Sequence, residues 1–459
     1  MVVAETRELA ERAALLVHTT YTAAVAPVVT IDQAMATPAR MQHPSSHTSG
    51  DAAGAFAAAA HTFEGTIDIA AQYHMYMETQ TSVATPLEDD GLHIHCSTQS
   101  PAGVQSAVAR ACSLPMNKVI IEMKRGGGGY GGKITGAVPV AVACGFAAHK
   151  HRKPVRFITS IKDCLTSTGK RSPWKFVYRV GCDAAGRVSA VSGTVYTAQW
   201  RATTSFARCY DVPNWDVTGI NCSTDAPGNT YMRSPTELGE CTFMNEIMDH
   251  VAMELNLPAE GVRAANLSPP TPASQGVSNL PSLYQQLMSN AGISERRADV
   301  ERFNTANKWR KRGIACVPTE YSSGWGGTPS HGSLLEVYPD GTILIYVTGC
   351  EIGQGLYTKV AQVVAMTLGL DDTSLIEVQS TSTNTVPNGG GTGGSVWFET
   401  PIRDISCFCH PLTGVFHVCV SDHLREELRR RADGGAGDQD PLRRGAPDHG
   451  DAIRQAALR

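Results

Sequence analysis

"EMKRGGGGYGGKITGAVPVAVACGF", residues 122–146, sets six glycines and a tyrosine between a basic strand end and an apolar, helix-like run. A strand, a glycine-rich turn and a helix N-terminus together present unpaired N–H groups and a partial positive charge, which suits an anion. The Walker spacing is nearly met: Gly127, Gly132 and Lys133 fit, but the position that must carry a metal-coordinating hydroxyl is Ile134, and Thr135 comes one residue late. A dinucleotide G-x-G-x-x-G can be traced through Gly127, Gly129 and Gly132, yet any run this rich in glycine satisfies it. A plain flexible turn is the third reading.

The chain around this turn has 459 residues, beyond the size at which single cores stop growing, so two or three domains are expected. A net charge of -4 and the lack of a basic stripe with interleaved aromatics argue against a nucleic-acid partner. No run approaches 18 consecutive apolar residues, and the opening "MVVAETRELAERAALLVHTTY" has early acids and a helical period rather than a signal-peptide core. A soluble, cytoplasmic protein is expected. Thirteen cysteines, scattered singly and without any C-x-x-C, favour a reducing compartment and exclude zinc-ribbon, thioredoxin-like and ferredoxin-type sites.

Periodicity predicts an amphipathic helix over 5–17, a strand at "APVVTIDQAM" (26–35) and a loop at "HPSSHTSGDAAG" (43–54). Strands follow within 61–79 and at 92–98, 117–125, 154–160 and 175–198, with helices at 101–114 and 136–151. One long helix is expected over 242–267, ending near the proline-rich "SPPTPASQG". Beyond it come a helix to about Arg312, strands at "RGIACVPTEY" (312–321) and within 331–349 around an Asp-Gly turn, and a helix at 355–370. Two mixed α+β domains with a small N-terminal piece is the implied fold. The tail from Ser421 has eight Arg, eight acids and little apolar residue to bury, so disorder with a frayed helix is expected.

Three further stretches share the chemistry of the glycine turn. "CSTQSPAGVQ" puts Gln99 between a strand and a helix, "GNTYMRSP" puts Arg233 after a turn, and "GCEIGQGLYTK" puts Gln354 between two glycines at a helix start. "NTVPNGGGTGGSV", from Asn384, adds a second glycine-rich run. Bare backbone donors, two carboxamides and a guanidinium suit a large anionic organic cofactor with a phosphate tail.

In order and spacing, these stretches resemble the molybdenum-cofactor subunit of the xanthine dehydrogenase and aldehyde oxidase family, from near Val3 to about Ser395. "HMYMET", "PVRFITSIKDCLTSTGKRSP" and "KRGIACVPTE" extend the likeness. The resemblance implies two mixed α/β molybdopterin-binding domains, the first at 61–275 and a partial second at 276–400. Residues 1–60 would end a small N-terminal α/β domain, and 401–459 would be a divergent tail. It implies that the glycine turn, with Gly129, Tyr130 and Gly131, walls the molybdopterin pocket, and that Gln99 hydrogen-bonds an oxygen on molybdenum. Arg233 would lie beside the metal, Gly353, Gln354 and Gly355 would contact the pterin, and Gly393 and Gly394 would face the cofactor. Arg201 would steady charge on the substrate and Trp325 would stack on its ring. No protein side chain would ligate the metal, which is held through the pterin.

The implied activity is molybdenum hydroxylase chemistry: a water-derived oxygen is inserted at an electron-poor carbon and a hydride passes to the Mo=S group. Three departures bear on it. Where purine-oxidising members carry a substrate-binding glutamate the chain has Ile134, which turns the expected substrate toward aldehydes or less polar N-heterocycles, and Pro235 stands where an aromatic is usual. The family's base, a glutamate in Gly-Glu-Pro, has no counterpart, and Gly239-Glu240 continues into Cys241. The likeness stops after about Val396. The chain is therefore expected to be an incomplete piece, inactive alone, that needs iron–sulfur and FAD domains or subunits and dimerises in the complete enzyme. A cofactor-free remnant serving as a binding or interaction protein is the alternative.

Overall fold

The computed structural model describes residues 1–22, 25–199, 202–270, 279–321 and 333–386. Within them the N-terminal segment holds α1 (Arg7–Ala14), α2 (Ile31–Met35), β1 (Met41–Ser49) and α3 (Ala52–Ala58). The chain continues through β2 (His61–Ile69), β3 (Thr81–Pro86), β4 (Leu92–Cys96), α4 (Pro101–Cys112) and β5 (Val119–Met123). The glycine turn leads into α5 (Gly132–Thr135), α6 (Ala137–His151), β6 (Val155–Ile158) and α7 (Ile161–Ser167). Then come β7 (Trp174–Cys182), β8 (Val188–Ala198), β9 (Asn214–Cys222), α8 (Glu237–Glu254) and α9 (Ala259–Asn266). The later part has α10 (Leu280–Asn290), α11 (Ile293–Ala306), β10 (Ser333–Val337), β11 (Ile343–Val347), α12 (Leu356–Leu368), β12 (Ile376–Val378) and β13 (Thr381–Ser382).

Strand alternation sorts these elements into three sheets, each covered by helices on its apolar face, so the fold is mixed α/β. The first sheet, ordered β1-β9-β8-β7-β2, buries Trp174, Phe176, Val180 and Val191 against Phe243, Met244, Ile247 and Val251 of α8. The second, β13-β5-β4-β3-β6, contains one parallel pair, β4 with β5, joined by the crossover helix α4. Its apolar face turns Leu92, Ile94 and Ile121 onto Val104 and Val108 of α4 and Ala141 and Cys144 of α6. Each such aliphatic side chain contributes about 1.5–3 kcal/mol on burial. Gly145 permits the close seating of α6, since a Cβ there would lie 3.0 Å from both Ile94 and Val108. The third sheet, β10-β11-β12, packs Ile343, Ile345 and Val347 on Leu356, Val364 and Leu368 of α12.

Strand pairing brings remote segments to one edge of the second sheet. β13, from the later part of the chain, pairs antiparallel with β5, Thr381 opposite Met123. The adjoining bond from Ile121 N–H to Thr383 Oγ1 joins residues 262 positions apart. β4 and β5 end side by side, delivering Ser97–Gln99 and the glycine turn to the same sheet edge.

Several local expectations are corrected. Residues 26–35 are not a strand: Thr30 and Gln33 form a reciprocal capping box, which starts α2 despite the β-branched residues before it. The polar stretch 43–54 is not a loop, because β1 pairs along β9 as an edge strand that needs no apolar face, and Asp51 caps α3. The helix over 242–267 is two, α8 and α9, separated where Pro258 removes a donor. The helix expected to reach Arg312 ends at Ala306. No strand forms over 312–321; carbonyls there are claimed by side chains instead, Cys316 O by Tyr284 and Pro318 O by Asn245. The proline-rich 271–276 and the tail from Ser421 lie outside the described residues.

Candidate functional site

Gln99 is completely buried where β4 turns into α4. Its Oε1 accepts from the Gly131 N–H at 2.8 Å and the Lys133 N–H at 3.3 Å, while its own backbone N–H donates to Lys133 O at 3.0 Å. With the oxygen engaged by two donors, the amide is oriented so that its NH₂ is the other end. The glycines make this approach possible. A Cβ on Gly129 would stand 2.6 Å from Gln99 Oε1, and one on Gly131, at φ +96°, would stand 2.7 Å from the carbonyl oxygen of Tyr231.

The turn is also tied to the segment 229–234. Arg233 N–H donates to Tyr130 O at 2.8 Å, His74 Nε2 donates to Tyr231 O at 2.7 Å, and the Thr135 and Thr230 hydroxyls meet at 2.6 Å. Buried Arg171 clamps the same segment, with 2.6 Å bonds to the carbonyls of Arg233 and Ser234. Burial pushes the His74 pKa below its ordinary value by more than the bond to Tyr231 restores, and because the Tyr231 carbonyl can only accept, the ring donates from Nε2.

Beneath the turn lies a charged pair. Lys133 is fully buried, and its ammonium reaches Glu78 at 3.0 Å and the Ser97 hydroxyl at 2.7 Å. Glu78 Oε2 also accepts from Ser97 Oγ and from Gly127 N–H, both at 2.6 Å. Burial drives the Lys133 pKa down and the Glu78 charge recovers only part of it. Burial raises the Glu78 pKa, but the Ser97 hydroxyl, the Gly127 N–H and Lys133 outweigh it, so the carboxyl titrates below its ordinary value.

The later part of the chain joins from the other side. Gly126 N–H donates to Glu351 O at 2.8 Å, and Thr381 Oγ1 donates to Gly349 O at 2.6 Å beside the β13–β5 pairing. The buried Glu351 carboxylate accepts from the N–H groups of Gly353 (2.8 Å), Gly355 (3.2 Å) and Tyr357 (3.0 Å), capping α12 at its positive end. Gln354 folds back on its own loop, accepting from Ile352 N–H at 2.7 Å and donating to Cys350 O at 2.8 Å. Gly353 and Gly355 have φ of +101° and +78°, and a Cβ on either would meet nothing within 4 Å.

Gln99, Gly129, Tyr130, Gly131 and Arg233 are thus brought together, and Gly353, Gln354 and Gly355 adjoin them through Glu351 and Gly126. Arg201, Trp325, Gly393 and Gly394 lie outside the described residues. The sequence pattern does not single out Glu78, His74, Arg171 or Glu351, and it reads Lys133 only as a phosphate-loop lysine. The signals available are the acid and histidine inside "HMYMET" and a glutamate directly before the Ile-Gly-Gln-Gly stretch, but the partners of the first two are remote in sequence.

Residues 35–267 and again 286–401 match the family described as "Molybdopterin cofactor-binding domain". The chain is 36% identical over 414 residues to xanthine dehydrogenase of Drosophila subobscura, a match that takes in 86% of this chain and 31% of that protein. It is 33% identical over 414 residues to aldehyde oxidase 1 of Cavia porcellus, with 86% and 31% covered. In fold it is similar to quinoline 2-oxidoreductase from Pseudomonas putida 86, with a TM-score of 0.74, 20% identity and coverage of 85% of this chain and 55% of that one. The chain belongs to the molybdopterin cofactor-binding family, as a molybdenum-cofactor subunit of the xanthine dehydrogenase and aldehyde oxidase type. It spans about a third of the length of the curated relatives it matches.

Molybdenum–molybdopterin is the cofactor such domains bind, and the residues present fit it. Arg233 is exposed beside Tyr130, and its guanidinium has no ion-pair partner among the described residues. The Gly129 and Tyr130 N–H groups likewise take no hydrogen-bond partner among the described residues, and the Gly353 and Gly355 α-carbons face open space. A cation, bare amides and an uncovered glycine edge on one surface are what an anionic, phosphate-bearing pterin requires. No described helix is long and apolar enough to cross a membrane.

Proposed function

We infer that this chain provides the cofactor site of a molybdenum hydroxylase acting on an aldehyde or an N-heterocycle of low polarity. The observation that carries the reading is the convergence of Gln99, the glycine turn, Arg233 and the Gly353–Gly355 loop from both matched regions. Bound there, the cofactor supplies the redox chemistry that accompanies oxygen insertion at an electron-poor carbon. The chain's residues hold and orient it. Gln99 fixes the turn from beneath, the Gly129 and Tyr130 backbone offers N–H groups to oxygen ligands beside Gly131, Arg233 balances negative charge, and Gly353 to Gly355, with Gly393 and Gly394, border the pterin. Arg201 and Trp325 are assigned to the substrate side. Ile134, at the edge of the turn, offers no acceptor for a purine N–H, which favours aldehydes.

The proposed extents are 1–60 for the end of an N-terminal α/β domain, 61–275 and 276–400 for the two cofactor-binding domains, and 401–459 for a divergent tail. Iron–sulfur and flavin domains or subunits would take the electrons, in a cytoplasmic, homodimeric enzyme. Without them, and without the Gly-Glu-Pro glutamate, this chain alone is not expected to sustain turnover, since general-base assistance is worth about 10² to 10⁴-fold. A second reading, a non-catalytic binding protein, draws on Gln99, Gln354 and Glu351 each engaging backbone groups of the glycine-rich turns, so that the site keeps its shape unaided.

Mixing the cofactor-loaded chain anaerobically with an aldehyde, a quinoline-type heterocycle and a purine, and following its visible absorbance and dye reduction, tests this. One stoichiometric bleaching by the aldehyde or heterocycle is expected, and none by the purine. Sustained dye reduction would overturn the inactivity of the isolated chain, and silence toward all three with cofactor bound would favour the binding-protein reading.

A further inference from the structure

We propose that His93, His95 and Glu122 form a binding site for one divalent transition-metal ion of the zinc class, separate from the molybdopterin surface. Along β4, Leu92, Ile94 and Cys96 are buried under α4 and α6, so His93 and His95 project together from the opposite face. Strand β5 runs parallel beside it with Glu122 in register with His95, which places the carboxylate on that same face. His93 Nε2 lies 2.9 Å from Glu122 Oε2, and one ligand atom from each of the three residues lies within 4.8 Å of the others. The two imidazole rings are 4.5 Å apart and tilted by 44°. Bonds of about 2.0–2.2 Å around a tetrahedral zinc put ligand atoms roughly 3.3 Å apart, so small rotamer adjustments suffice.

A His–Glu hydrogen bond needs only one histidine. The second, His95, is exposed and has no hydrogen-bond partner among the described residues, yet it completes the triad. Two imidazoles and one carboxylate select zinc, nickel or copper over magnesium or calcium. Three protein ligands leave a fourth position for water or an incoming group, and the partial exposure of all three lets an ion enter from solvent. The ion would clip together the two strands whose ends deliver Gln99 and the glycine turn.

The test strips the purified full chain with a chelator and titrates it with Co²⁺ and Zn²⁺ against a chromophoric competitor, in parallel with His95→Gln, Glu122→Gln and the His93→Gln/His95→Gln pair. The expected result is one ion per chain, with a cobalt spectrum of nitrogen and oxygen ligation and no thiolate charge-transfer band. Affinity should fall at least about ten-fold in His95→Gln. Zinc should raise the unfolding temperature of the native chain and not that of the double variant, while the metal-free His95→Gln protein, altered at an exposed position, should unfold like the native one. Unchanged affinity in the double variant, a thiolate band assigning the ion to cysteines, or no ion retained at micromolar metal would each overturn the proposal.

Discussion

Replacing Lys133 by methionine removes a buried ammonium while conserving most of its volume, so the cavity contribution is small. What is lost is the 3.0 Å contact to Glu78 and the 2.7 Å bond to Ser97. Breaking a fully buried ion pair costs about 3–5 kcal/mol. Glu78, however, is 36% exposed at its side chain and keeps the Ser97 hydroxyl and the Gly127 N–H. Lys133→Met should therefore cost about 2 kcal/mol, the discount reflecting solvent screening. The reciprocal change, Glu78→Gln, strands a lysine with 0% exposure and should cost more, about 3–5 kcal/mol. At roughly 2–4 °C per kcal/mol, Lys133→Met lowers the unfolding temperature by about 4–8 °C and Glu78→Gln by more. The double variant should be more stable than Glu78→Gln alone. Calorimetry or urea unfolding of the four proteins closes the cycle. A costlier Lys133→Met than Glu78→Gln, or a double variant equal to the sum of the singles, would refute the pairing.

Other substitutions probe the same geometry. Gln99→Ala leaves the Gly131 and Lys133 N–H groups without their acceptor and should cost about 1–3 kcal/mol, with faster amide exchange through Gly129–Lys133 as the readout. Gly131→Ala adds a strained positive φ of about 1–3 kcal/mol and a clash with Tyr231 O, whereas Gly353→Ala carries the strain without a clash; thermal unfolding should rank them in that order. Glu78 has a folded-state pKa below the ordinary 4.5, so its contribution is present above that value and lost as pH falls through the lowered one. An acid titration of stability should show a loss that is absent in Glu78→Gln.

The motifs that betray the site are short stretches whose backbone shapes the pocket wall. Glycines that admit Gln99 and Tyr231 must be glycine wherever the turn forms, so "RGGGGYGG", "STQ" and "NTYMR" are readable without coordinates. The supporting charges are not. Glu78 and Lys133 lie 55 residues apart, and nothing local distinguishes a buried lysine from a solvated one. Glu351 is hidden for a different reason, since a carboxylate before a glycine-rich helix start reads equally as a cap or as a surface acid. In the second sheet β4, β5 and β6 are legible, helped by strict alternation on one face, as in Leu92, Ile94 and Cys96, whereas β3 and the two-residue β13 are not among the strands expected. β1 and α2 escape such reading because an edge strand needs no apolar face and because a capping box outweighs two adjacent valines.

One surface, built from both matched regions, is the proposed seat of molybdopterin. Its most direct test is the molybdenum and pterin content of the chain purified from a host that makes the cofactor, by elemental analysis and by fluorescence of the oxidised pterin, compared with Arg233→Ala and Gly353→Ala. Molybdenum and pterin retained in equal proportion by the native chain, and depleted in both variants while their folds survive by circular dichroism, is the predicted result. A native chain carrying neither, or variants from the two regions that retain both in full, would contradict it.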